Sequence, residues 1–184
     1  MGILDEYVKE GLVVLDAGCG SGFFSNYFIS SGCRVYSLDY SARALGVARR
    51  LTRDRSERYL QKDLLDKGLT EEFEDYFDII FTDGLFEHFP EDTQRKILDG
   101  FVTMKKEDGL IVTFVPNKFT LWTLLRPLFM PQIKEVPFTL SRLRSLHSGC
   151  RILRSGGLNI LPVRHSPDKL IGRYFGMLLY IICR

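Results

Sequence analysis

The feature that most constrains this chain is Val14-Leu-Asp-Ala-Gly-Cys-Gly-Ser-Gly22. A β-type apolar run, Leu12 to Asp16, ends in an acid, meets glycine at alternate positions, and passes into the helical pattern Phe23 to Ser30. Glycines admit positive φ and let a ligand approach the backbone with no Cβ in the way. The helix beyond them begins with N–H groups that have no partner inside the helix. A strand, a glycine turn and a helix in that order are the opening of an α/β nucleotide-type fold. The spacing is G-x-G-x-G at Gly18, Gly20 and Gly22, whereas the dinucleotide fingerprint is G-x-G-x-x-G.

The rest of the chain repeats the alternation, which predicts an α/β fold with a largely parallel sheet. Arg34 to Asp39 reads as a second strand, with Ser41 as N-cap of a helix carrying Ala42, Leu45, Ala48 and Leu51. Arg58 to Gln61 is a short third strand and Phe77 to Thr82 a fourth. Glu91 to Met104 is an amphipathic helix with Ile97, Leu98, Phe101 and Met104 on its apolar side. Asp108-Gly109 reads as a turn, Leu110 to Val115 as a fifth strand, and Pro116-Asn117 ends it. Leu140 to His147 reads as a helix capped by Thr139, with Gly149 or Gly156-Gly157 as stops. Two tail strands are expected near Asn159 to Arg164 and Met177 to Cys183. The expected whole is a single domain over 1–184 with a doubly wound, mostly parallel seven-stranded sheet, helices on both faces and the last strand antiparallel. Lys118 to Phe138 breaks the alternation. It is either an inserted helix over the core or a lid or acceptor pocket, since active-site loops of α/β folds sit beyond the strand C-termini.

Composition excludes several classes. The 184 residues suit one compact core, and a formal net charge of +2 gives no electrostatic case for nucleic-acid binding. Cys19, Cys33, Cys150 and Cys183 form no C-x-x-C pair, so no zinc site is expected and the thiols read as reduced, as in a cytoplasmic protein. Asp5 and Glu6 stand where a signal sequence would be apolar, and Glu6 replaces the Ser or Thr of a myristoylation motif. Phe175 to Cys183 is too short to span a bilayer.

Asp39 ends the second strand, about 20 residues after the first glycine, where an acid can accept hydrogen bonds from ribose hydroxyls. The bland alternative is an acid that complements the following helix dipole. Together, Asp16-Ala-Gly-Cys-Gly-Ser-Gly22 and Leu38-Asp39-Tyr40-Ser41 resemble the first two motifs of the Rossmann-like, class I S-adenosylmethionine-dependent methyltransferases. The resemblance runs over residues 12 to 117. It implies S-adenosylmethionine as cofactor and S-adenosylhomocysteine as product. It places Asp16, Gly18, Cys19, Gly20 and Gly22 in the cofactor turn, Asp39 at the ribose and Tyr40 beside the adenine. By the same resemblance Asp63 and Leu64 meet the adenine edge and ring, and Asp83 and Gly84 lie beside the methionine portion. Glu87 and His88 follow near the mouth. His88 is either a general base or a residue that orders its loop, and Asn117 either faces the acceptor or caps its turn. One departure is the start: Ile3 to Lys9 is long enough for one or two helical turns, where the family usually carries helices. A truncation, an open site and a lid supplied by 118–138 all remain compatible with that.

The implied activity is methyl transfer to a small-molecule acceptor, lipid- or quinone-like given Trp122, Phe129 and Met130 beside Lys118, Arg126 and Lys134. The alternatives are a cofactor-binding module without catalysis and, against the glycine spacing, an NAD-dependent dehydrogenase. No metal or nucleic-acid partner is expected, and oligomeric state is open.

Overall fold

The structure is a computed structural model, and it describes residues 2–120, 136–158 and 176–184. Seven strands form one sheet in the order β3-β2-β1-β4-β5-β7-β6: β1 is Val13–Ala17, β2 Arg34–Asp39, β3 Arg58–Gln61, β4 Phe77–Asp83, β5 Lys105–Pro116, β6 Ile152–Leu158 and β7 Leu178–Cys183. The helices are α1 (Phe23–Ser30), α2 (Ala42–Thr52), α3 (Lys67–Glu72), α4 (Glu91–Met104) and α5 (Leu140–Leu146). Strand β1 is parallel to both β2 and β4, and β2 is parallel to β3. Strand β7 is antiparallel to β6. This is the expected doubly wound order, with the strand sequence reversing beside β1.

Contacts divide the described residues into two compact units. The first comprises residues up to Thr82 together with Lys96–Ile111. Here all five residues of β1 are buried, which is why that strand reads as an apolar run broken only by Asp16. Phe24 and Phe28 both pack on Phe81, tilted and edge-on respectively, with centroids 4.4 and 5.2 Å from its ring. Tyr36, Phe73 and Phe77 make a second aromatic group. The Ser41 hydroxyl accepts the Ala44 N–H at 3.3 Å, as an N-cap does. Helix α3 has too few apolar residues to announce itself by periodicity. Its signal is Asp66, whose carboxylate accepts the Gly68 N–H at 2.9 Å.

The second unit comprises Asp83–Arg95 and Val112–Arg184. Thr139 caps α5 by accepting the Arg142 N–H at 3.2 Å. His147 closes that helix, fully buried.

Two boundaries differ from the sequence reading, and at each the glycine serves space rather than a turn. Strand β5 begins at Lys105 and runs through Asp108-Gly109. A Cβ on Gly109 would lie 2.8 Å from the Phe77 carbonyl oxygen, so the glycine admits close strand contact. Helix α5 ends before Gly149, the first of the two expected stops, whereas Gly156-Gly157 lies inside β6, where a Cβ on Gly156 would meet the Tyr180 ring at 3.0 Å. The expected strand Asn159–Arg164 lies outside the described residues, as does 121–135, the bulk of the expected lid. At the start, the helical turn is a 3-10 turn over Leu4–Glu6.

Candidate functional site

The turn between β1 and α1 is tied to β2 at several points. The N–H groups of Gly18 and Cys19 both donate to the Leu38 carbonyl, at 2.8 and 2.9 Å. The Gly22 N–H donates to the Cys19 carbonyl at 2.8 Å, closing a tight reversal. Gly18, Gly20 and Gly22 have φ of 75°, 52° and 79°, the left-handed region that glycine enters without steric cost.

Two of these glycines are glycine for different reasons. A Cβ on Gly22 would lie 2.7 Å from Ala48 Cβ and 2.8 Å from Ala48 Cα, so Gly22 lets α1 and α2 pack together. A Cβ on Gly20 would have no atom within 4 Å. Space is left open at Gly20, as a backbone approached by a ligand requires. Next to it, the Gly20 N–H donates to Asp39 Oδ2 at 3.0 Å, and the Ser41 N–H donates to Asp39 Oδ1 at 2.8 Å. Asp39 is thus aimed from both sides. Each carboxylate oxygen can accept a further bond, so two acceptor positions remain for a diol.

The other expected residues of this unit divide by exposure. Tyr40 is 81% exposed, an open aromatic face directly after Asp39. Asp63 is exposed and Leu64 half-buried; Asp63 Oδ1 accepts the Leu65 N–H at 2.9 Å, which sets the turn after β3. Asp16 is buried, and its Oδ2 accepts the Ser25 hydroxyl at 2.6 Å. Cys19 is buried against Leu45 and Ala48. Burial, then the carboxylates of Asp16 and Asp39, push its thiol well above the ordinary range. Both causes oppose the thiolate, in keeping with the packing of Cys19 against α2.

In the second unit, burial pushes the Asp83 carboxyl up to about 6. Gly84 takes φ 67° and its N–H donates to the Phe114 carbonyl at 3.1 Å. Glu87 is buried and His88 exposed, on a 3-10 turn over Phe86–His88. The turn is ordered by Gln94, which sequence reasoning placed on α4 without a role. Its buried amide donates to the Phe86 and Phe89 carbonyls, each at 2.8 Å. Asn117 Oδ1 accepts the Phe119 N–H and its Nδ2 donates to the Gly176 carbonyl, so the amide holds its own turn against the residues that lead into β7. Among the described residues no group of three or more His, Cys, Asp or Glu could hold a metal ion. No helix among them is long and apolar enough to cross a membrane.

Residues 15–113 match the methyltransferase domain family. The chain belongs to that family. S-adenosylmethionine is the cofactor of methyltransferase domains of this fold, and solved neighbours hold its product, S-adenosylhomocysteine. The match decides against a nicotinamide enzyme, as the glycine spacing indicated. Over 55 residues the chain is 47% identical to a malonyl-[acyl-carrier protein] O-methyltransferase of Pectobacterium atrosepticum, which is 30% of this chain and 21% of that protein. Over 108 residues it is 28% identical to a ubiquinone biosynthesis O-methyltransferase of Paraburkholderia xenovorans, 59% of this chain and 46% of that protein. The chain thus spans less than half the length of these curated relatives. A solved S-adenosylmethionine-dependent methyltransferase from Archaeoglobus fulgidus matches the fold with a TM-score of 0.76 at 17% identity, covering 99% of this chain and 90% of its own. Magnesium protoporphyrin IX methyltransferase from Synechocystis, with S-adenosylhomocysteine bound, matches at 0.70 and 20% identity, covering 98% and 77%.

Proposed function

We propose that this methyltransferase domain transfers the methyl group of S-adenosylmethionine to an oxygen of a small or carrier-linked acceptor. The observation that carries the reading is the open space at Gly20 beside an Asp39 carboxylate held by the Gly20 N–H. The cofactor supplies an activated methyl group on a sulfonium leaving group. The chain's own residues then bind, orient and keep water out. Asp39 receives the ribose hydroxyls and exposed Tyr40 packs on the adenine face. Asp63 and Leu64 take the adenine edge. Asp83 and Gly84 are assigned to the methionine portion from the sequence resemblance. A carboxyl with a pKa near 6 is mostly ionised at neutral pH and suits an ammonium partner.

Oxygen is proposed as the acceptor atom because the two curated relatives above are named O-methyltransferases. A carboxylic acid is already ionised near neutral pH and needs no base, whereas a phenol, with a pKa of about 10, does need one, and exposed His88 is the candidate for that case. The lipid- or quinone-like body proposed for the acceptor rests on the sequence of 118–138.

The test is transfer of labelled methyl from S-adenosylmethionine to a panel of phenols, free dicarboxylic acids and carrier-linked acids. Label in one oxygen class supports the proposal. S-adenosylhomocysteine binding with no transfer to any acceptor would favour the non-catalytic module instead.

A further inference from the structure

A row of polar side chains crosses the buried sheet face beneath the cofactor turn. In strand register Asp16 stands opposite Ser37, and Ser37 opposite Tyr59, so the three share a face across β1, β2 and β3. The first two are wholly buried. The Ser25 hydroxyl, from the first turn of α1, donates to Asp16 Oδ2 at 2.6 Å. Ser25 and Ser37 hydroxyls are 2.8 Å apart, as are those of Ser37 and Ser56. Each hydroxyl has one proton. Ser25 gives its proton to the carboxylate, so Ser37 donates to Ser25 and Ser56 donates to Ser37. The chain therefore points one way, and each bond polarises the next toward Asp16.

The position of this chain is the reason to assign it a role. Asp16 lies one residue before the end of β1 and Ser25 is the third residue of α1. Their bond closes the segment Ala17 to Phe24, which contains three left-handed glycines. Glycine gives that segment more conformational freedom than any other residue would. The Ser25–Asp16 bond removes part of that freedom before a ligand arrives. Buried polar groups add little net stability over well-packed apolar ones, so such a row is better explained by what it orders.

We propose that Ser25 is a positioning residue for cofactor binding: backed by Ser37 and Ser56, its hydroxyl staples Asp16 across the glycine turn and holds that turn in its binding geometry. Ser25 acts through the turn and touches no reacting atom. The inference rests on the turn being the cofactor site, and a single experiment separates the two. S-adenosylhomocysteine is titrated into the full chain by calorimetry, for wild type, S25A, S25T and S37A, with unfolding midpoints measured in parallel. Binding by wild type tests the site itself. The variants test the staple. S25A is expected to weaken binding about tenfold and to raise KM for S-adenosylmethionine with kcat little changed. S25T keeps the donor and is expected within threefold of wild type. S37A, which removes the hydroxyl behind Ser25, is expected to weaken binding about threefold and serves as the deciding variant where the added methyl of S25T unfolds the chain. Wild-type affinity in both S25A and S37A overturns the proposal, as does equal impairment of S25A and S25T at undiminished stability.

Discussion

Gly20→Ala and Gly22→Ala, two changes of one methyl group in the same turn, are expected to fail in different ways. Both positions have positive φ, so alanine at either costs about 1–2 kcal/mol in left-handed backbone strain. Gly22 carries a second penalty. Its new Cβ would lie 2.7 Å from Ala48 Cβ and 2.8 Å from Ala48 Cα, where carbons normally stand about 3.5–4.0 Å apart. Backbone-linked atoms cannot swing away, and overpacking of this kind costs about 1–3 kcal/mol. The sum for G22A is about 2–5 kcal/mol, and a domain of this size loses about 2–4 °C of midpoint per kcal/mol. A midpoint about 10 °C below wild type follows for G22A, against a few degrees for G20A. Binding should show the reverse order per unit of stability. The G20A methyl projects into space that the protein leaves open, and at least a tenfold loss of S-adenosylhomocysteine affinity is expected. Thermal unfolding and calorimetric titration of the two variants give both numbers. A G20A protein that binds like wild type would refute the assignment of that space to the cofactor, and equal midpoints would refute the Ala48 contact as the limit at Gly22.

Stability against pH should show two opposed contributions in the second unit. His147 is buried, its Nδ1–H donates to the Leu143 carbonyl and its Nε2 accepts the Thr113 hydroxyl, and burial lowers its pKa to about 4. The folded state resists protonation there, so stability present above pH 6.5 is lost as pH falls toward 4, about 2 kcal/mol by pH 5. Asp83 has the opposite sign: its raised pKa makes the folded state gain as pH falls from 6 toward 3.8, by about 1 kcal/mol at pH 5. Urea midpoints at pH 7 and 5 should therefore fall more steeply for D83N than for wild type and should rise for H147Q; parallel slopes in all three would contradict the signs. Ser41→Ala removes the cap of α2 and is expected to cost about 1 kcal/mol, read by urea unfolding. Cofactor affinity should weaken as pH drops through 6 in wild type, with D83N flat across the same range.

Much of the fold was legible because the signals are local. The five buried residues of β1, the caps Ser41 and Thr139, and the run Arg34 to Asp39 each act within a few residues. Gly109 and Gly156 were misread because their cause is distant in sequence. Phe77 and Tyr180 occupy the space a side chain would need, and a glycine in a strand looks like a glycine in a turn. The candidate site followed the same division. Gly20 and Asp39 carry a spacing signature, and the structure joins them by a hydrogen bond. The Ser25, Ser37 and Ser56 chain carries none, because three serines meet only when α1, β2 and the start of the β3 arm are brought together. Gln94 is similar: on a helical wheel it is one polar residue among several, and only tertiary contact shows it buried under two carbonyls.

The central claim is that the glycine turn and Asp39 form an adenosine site for a sulfonium cofactor. Calorimetric titration of the full chain with S-adenosylhomocysteine, repeated with D39A, tests it most directly. The account predicts saturable one-to-one binding by wild type and at least a tenfold weaker Kd for D39A at an unchanged fold. Absence of binding to the folded wild-type chain, or equal affinity in D39A, would contradict it.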